Sequence, residues 1–165
     1  MIRVAIIGYG NIGKIVGEIA AALGMKVIYN SPHAEGSVSL DELLEKSDII
    51  SINTRLNSET REMINKDTIS KMKDGVWIIN TSRGLTINEK DLTEALNSGK
   101  VGAAALDVVS VEPMKEGNPL LKAKNCIITP HMAWSMLECR QRIIDITDEN
   151  IDGFLKGKPV NTVTK

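Results

Sequence analysis

A short apolar run that passes directly into a glycine loop, which then opens a helical pattern, constrains the fold of this chain more than any other feature. Arg3 to Ile7 is the apolar run, Gly8-Tyr9-Gly10-Asn11-Ile12-Gly13 follows, and Ile12, Ile15, Val16, Ile19, Ala20 and Leu23 recur at helical spacing. In a strand–loop–helix unit of this kind, the first glycine allows the tight turn. The second lets backbone approach a pyrophosphate, and the third lets helix and strand pack closely. The helix start offers N–H groups and a partial positive charge to an anion. The context predicts a dinucleotide held at Gly8, Gly10, Asn11, Ile12 and Gly13. The competing reading is a glycine-rich turn without a ligand.

The alternation continues. Further strands are expected at Lys26–Tyr29, Asp48–Ile52, Val76–Ile79, Gly102–Leu106 and Cys126–Thr129. Helices are expected at Asn11–Leu23, closed by Gly24, and from Ser39, with Glu42 completing a capping box. One or two more fall within Glu59–Met72, and others at Asn88–Asn97 and from Ser135 to about Lys156. Continuous apolar strands point to a parallel sheet covered on both faces. The reading is therefore an α/β fold, a doubly wound parallel sheet of Rossmann topology. With 165 residues it suits a single domain over 1–156 and a tail over 157–165. Ser110 to Lys124 is the longest irregular stretch.

A net charge of −1 gives the molecule no overall attraction to nucleic acid or an anionic membrane. No apolar run approaches the roughly 18 residues of a membrane helix, and Val4 to Ile7 runs into glycines instead of a signal-peptide cleavage site. A cytoplasmic protein is expected. Cys126 and Cys139 lack metal-like spacing, and Cys126 reads as a small buried hydrophobe. His33 and His131 have no ligand-spaced partners, so no metal is expected.

At the end of the second strand, an acidic residue would hold the adenosine ribose hydroxyl. Asn30 stands there. Asparagine can bond a hydroxyl without repelling a 2′-phosphate, which Ser31, His33 and Arg55 could help accept. NAD and NADP both stay open, and Asn30-Ser31 also reads as turn chemistry before Pro32. Arg83, Asp107, Glu112 and His131 fall at carboxyl ends of later strands or just beyond, where an open α/β sheet has its ligand crevice. Singly each has a structural reading; together they point to chemistry.

The chain resembles the cofactor-binding domain of the D-isomer-specific 2-hydroxyacid dehydrogenases. The matching segments are the glycine loop, Ser47 to Ser51, Leu56 to Thr60, Asn80 to Gly84, Ala105 to Val108, Glu112-Pro113 and Thr129-Pro130-His131. The resemblance implies catalytic roles for Arg83, Glu112 and His131. The arginine would bind the carboxylate and carbonyl of a 2-oxo acid, the histidine would exchange a proton with its 2-oxygen, and the glutamate would pair with the histidine. A guanidinium fork suits an oxo acid, and imidazole is an acid near neutral pH. The resemblance also puts Thr54, Thr60, Thr81, Ser82 and Ala133 beside the cofactor, and Asp107 at the nicotinamide amide. Trp134 is similar to the glycerate dehydrogenase and hydroxypyruvate reductase branch.

The departures are Asn30, Arg55 where the family usually has proline, Asn53 where histidine is common, and a start just before the first strand. That start leaves no room for the family's substrate domain, so weak or no turnover is expected of the domain alone. A non-catalytic dinucleotide-sensing or interaction module is the alternative. Family behaviour implies a possible homodimer.

Overall fold

The computed structural model describes residues 1–32 and 34–163. His33, considered above as a phosphate partner, lies outside the described residues. By contact the chain divides into two compact units, Met1–Pro130 and His131–Lys165.

The first unit is a six-stranded parallel sheet. Its strands are β1 (Arg3–Ile7), β2 (Lys26–Asn30), β3 (Ile49–Ile52), β4 (Val76–Asn80), β5 (Val101–Leu106) and β6 (Cys126–Ile128), in the order β2-β1-β3-β4-β5-β6. Helices α1 (Asn11–Ala22), α2 (Leu40–Lys46), α3 (Lys66–Ser70) and α4 (Glu89–Ser98) connect them. The chain leaves β1 outward to β2, then returns to place β3 on the other side of β1. That reversal opens a crevice at the carboxyl ends of β1 and β3, the expected ligand position in a doubly wound sheet.

Side-chain alternation on β1 divides the core into two layers. Val4 and Ile6 pack with Ala20 of α1. Ala5 and Ile7 face a larger cluster with Leu43 and Leu44 of α2, Ile50 and Ile52 of β3, Ile78 of β4 and Leu92 of α4. The central strands β1 and β3 are thus buried on both faces, whereas Trp77 of β4 and Ile127 of β6 stay exposed, so the expected cover does not extend over the whole sheet.

The structure differs from the sequence reading in several places. Within Glu59–Met72 the expected one or two helices come out as one, α3, which occupies only Lys66–Ser70. Asn57 and Thr60 instead close a turn, and Asn65 starts the helix by accepting from the Asp67 and Thr68 amides. Ser39 caps α2 by accepting from Glu42 N, but the Glu42 carboxylate pairs forward with Lys46 at 2.7 Å. Within the stretch Ser110 to Lys124, a 3₁₀ turn at Pro119–Lys122 buries Leu120. Cys126 is half-buried against the core, and burial pushes its thiol pKa up.

In the second unit, α5 spans Leu137–Leu155. It starts two residues later than expected, because Ser135 donates its amide (2.9 Å) and its hydroxyl (2.8 Å) to the Met132 carbonyl. Among the described residues no helix is long and apolar enough to cross a membrane.

Candidate dinucleotide site

The glycine loop is held by its own chain. Gly8 has φ 90°, and its amide donates to the Asn30 carbonyl at 2.9 Å. A side chain there would come within 2.7 Å of the Asn53 backbone, so loop and β3 terminus nearly touch. A Cβ on Gly13 would lie 2.0 Å from the Gly8 carbonyl oxygen. Gly10 is different, since a Cβ there meets nothing within 4 Å. Gly8 and Gly13 are glycines for reasons inside the chain, whereas Gly10 faces open space. Gly10 also precedes α1 without a side-chain cap, and no acid lies in the first turn. A glycine cradle at a helix start, whose first-turn amides have no partner within the helix, fits a pyrophosphate.

Tyr9 stacks on Tyr29 of β2, with ring centroids 3.8 Å apart and planes 6° from parallel. This contact ties the glycine loop to the neighbouring strand. Sequence reading missed it because the two residues are 20 positions apart and carry no shared motif.

At the end of β2, Asn30 donates its amide to the Val38 carbonyl at 2.7 Å. Val38 N returns a bond to Tyr29 O at 3.0 Å, and Ser31 N donates to Ser37 Oγ at 2.9 Å. Asn30 and Ser31 thus close the loop leading to α2. The Asn30 side-chain oxygen accepts from no described residue.

A cavity of about 350 Å³ opens beside α1, lined by Ile12, Asn53, Thr54, Arg55, Leu56, Thr81, Ser82 and Arg83. It lies at the crevice between β1, β3 and β4. Among the described residues that line it are two guanidiniums and no carboxylate. The β3 loop is closed by Thr60, whose hydroxyl donates to Arg55 O at 2.6 Å and accepts from Asn57 N at 2.9 Å. Thr60 therefore shapes the backbone that carries Arg55.

The β4 terminus is organised by Asn80, which is fully buried. Its Oδ1 accepts from Ser82 N (3.0 Å) and Ser82 Oγ (2.8 Å), and its Nδ2 donates to Arg83 O (3.0 Å) and Thr86 Oγ1 (3.2 Å). One amide thereby sets the turn that presents Thr81, Ser82 and Arg83. A polar residue ending an apolar strand before Thr-Ser was the available signal. Arg83 is exposed, and its guanidinium donates to Ser82 O at 2.7 Å.

Asp107 follows β5, is buried, takes a hydrogen bond from the Thr129 hydroxyl, and donates its amide to Asn80 O at 2.9 Å. Glu112 is exposed and accepts from Val109 N at 3.1 Å; the Glu112–Pro113 peptide is cis. The first unit thus brings together the glycine loop, Thr54, Arg55, Thr81, Ser82 and Arg83. Asp107 and Glu112 follow on the next strand's exit. His131 and Ala133 belong to the second unit. His131 there has φ 52° and accepts at its carbonyl from Trp134 Nε1 at 2.9 Å. No group of three or more metal-binding side chains occurs among the described residues.

Comparison with known proteins gives this geometry a context. Residues 2–133 match the family described as D-isomer specific 2-hydroxyacid dehydrogenase, NAD binding domain. A hydroxypyruvate reductase of Blautia hydrogenotrophica is 56% identical over 99% of this chain and 53% of its own length. A glycerate dehydrogenase of Methylorubrum extorquens is 42% identical over 96% of this chain and 51% of its own. Among solved structures, a D-lactate dehydrogenase of Aquifex aeolicus complexed with NAD and lactic acid superposes with a TM-score of 0.85 at 36% identity. It covers 95% of this chain, which in turn covers 54% of that one. The chain spans about half the length of the curated relatives it matches.

Proposed function

The chain belongs to the D-isomer specific 2-hydroxyacid dehydrogenases, as their NAD-binding domain, and from that premise we propose that it serves reduction of a small 2-oxo acid of the hydroxypyruvate or glyoxylate kind. The observation that carries the proposal is the cavity at the sheet's switch point, where Arg83 and Arg55 line a space with no carboxylate among its described lining residues. When bound, the nicotinamide dinucleotide supplies or accepts the hydride.

The chain's own residues supply the rest. Amides at the start of α1 hold the pyrophosphate, with Gly10 leaving room for it. Arg83 pairs its fork with the substrate carboxylate and carbonyl. His131 donates a proton to the 2-oxygen as the hydride arrives, and takes it back in the reverse direction. Glu112 is the carboxylate of the catalytic trio that the family resemblance implies, and Asp107 would hold the nicotinamide amide.

NAD and NADP both remain in the reading. Asn30 lacks the charge that would repel a 2′-phosphate, and Arg55 offers a cation. We also propose self-association, for which Ile15, Ile19 and Leu23, exposed along α1, offer an apolar surface.

A paired titration with NADH and NADPH, followed by hydroxypyruvate and glyoxylate, tests the proposal. Micromolar binding of at least one cofactor is expected. So is oxo-acid turnover in the polypeptide as it occurs naturally, reduced about 100-fold or more in Arg83→Ala. Turnover that persists in Arg83→Ala overturns the mechanism. Cofactor binding with no effect of any oxo acid favours a sensing module.

A further inference from the structure

The loop that carries Glu112 is tied to α4 by one carboxylate. Glu89, the first residue of α4, accepts three hydrogen bonds. These come from Ser110 N to Oε1 at 2.6 Å, from Ser110 Oγ to Oε2 at 2.8 Å, and from Asn118 Nδ2 to Oε2 at 2.9 Å. The donors lie 21 and 29 residues away in sequence, on either side of Glu112. Between them, Glu112 folds back to accept from Val109 N.

The same place joins two loops. A Cβ on Gly84 would lie 2.0 Å from the Val109 carbonyl carbon and 2.5 Å from Ser110 N. The Arg83–Gly84 turn therefore rests on the Val109–Ser110 backbone. Asn80 fixes that turn from the other side, through Arg83 O. Arg83 and Glu112 are thus carried by two segments in backbone contact, and Glu89 bonds the seam between them.

We propose that Glu89 is a positioning residue. It sets the separation of the Arg83 and Glu112 loops without touching cofactor or substrate. Three donors converging on one carboxylate explain why an acid stands here. A glutamine would turn its NH2 group toward either Ser110 N or Asn118 Nδ2, placing donor against donor in both orientations. Charge-assisted bonds of this kind are also about twice as strong as neutral ones, which suits a tether that must hold a loop still. The inference rests on the catalytic roles proposed above for Arg83 and Glu112.

The test uses the naturally occurring polypeptide and two readouts. In Glu89→Ala, kcat for oxo-acid reduction should fall at least about tenfold, since small misplacements of catalytic groups are costly. The NADH dissociation constant should stay within about twofold, because the glycine loop carries the pyrophosphate and Asn80 holds the Ser82–Arg83 turn independently of Glu89. Exchange of the Ser110 amide should accelerate about tenfold or more relative to β3 amides. The double variant Glu89→Gln/Asn118→Asp reverses the donor and acceptor and should restore kcat and Ser110 protection. This variant also guards against a Glu89→Ala protein that does not fold.

Unchanged Ser110 exchange in Glu89→Ala overturns the tether itself. Faster exchange with unchanged kcat overturns its positioning role, as does a kcat loss matched by an equal loss of NADH affinity. A wild-type protein that reduces no oxo acid, yet shows the exchange changes and their rescue, refutes the proposed reaction while leaving the tether established.

Discussion

Gly10 and Gly13 occupy the same motif for different physical reasons. Gly13 is required by the fold, because its Cβ would overlap the Gly8 carbonyl. Gly10 has open space around it, so any demand for glycine there comes from a ligand. Gly13→Ala should lower stability by about 1–3 kcal/mol, as overpacking does. Gly10→Ala should leave the unfolding midpoint nearly unchanged while weakening NADH binding about tenfold. Thermal unfolding and calorimetric titration of the pair check this, and equal cofactor affinity in Gly10→Ala and wild type would refute the assignment. Asn30 teaches a related lesson. The sequence marks it as the residue facing the ribose, yet its N–H group holds the following loop through Val38 O.

Between elements, Asp48 joins the amino ends of β1 and β3 to the turn before β4. Arg3 N donates to its carboxylate at 2.7 Å, Lys73 Nζ at 2.8 Å, and Asp48 N donates to Arg3 O at 2.9 Å. The hydrogen bond from Lys73, then that from Arg3, holds its pKa below the ordinary value of 3.8. A carboxylate depressed in the folded state contributes stability above its unfolded pKa and loses it as pH falls through the folded one. Asp48→Asn should therefore be less stable than wild type at pH 7. The side chain is more than a third exposed, so solvent screening keeps the difference under about 1 kcal/mol. The gap should close below pH 3.8. Urea unfolding at neutral and acid pH measures it, and a gap that widens on acidification would contradict the account. The single helix between Glu59 and Met72 has a similar local cause. Polar residues Asn57, Thr60 and Asn65 bond nearby backbone, which ends helical propagation where apolar spacing alone would have continued it.

Across the whole chain, the two compact units differ in how they are stabilised. The first buries the core of its central strands, with Ile6, Ile50, Ile52 and Ile78 shielded from solvent. In the second, α5 carries no buried residue and exposes Leu137, Ile144, Phe154 and Leu155. Opening free energies follow burial. In the 165-residue chain, α5 amides should exchange through local opening, while β1 and β3 amides should exchange only on global unfolding. Residue-resolved hydrogen exchange decides this; α5 protection equal to that of β3 would show that the helix shares the cooperativity of the sheet. The exposed apolar side chains of α5 follow helical spacing, which is why its sequence reads as an ordinary amphipathic helix.

The sequence by itself determined the parallel α/β fold, the glycine loop, the strand termini that carry Arg83 and Asp107, and membership of the 2-hydroxyacid dehydrogenases. These are local or ordered features: apolar runs, helical spacing, and short segments in a fixed order. Tertiary structure alone decided which polar groups are already engaged. Asn30, Thr60 and Asn80 bond nearby backbone that their neighbours bring into reach, Tyr9 stacks on Tyr29, and Glu89 holds Ser110 and Asn118. Such partners lie several to tens of residues apart and share no period, so only the folded chain brings them within hydrogen-bonding or van der Waals distance.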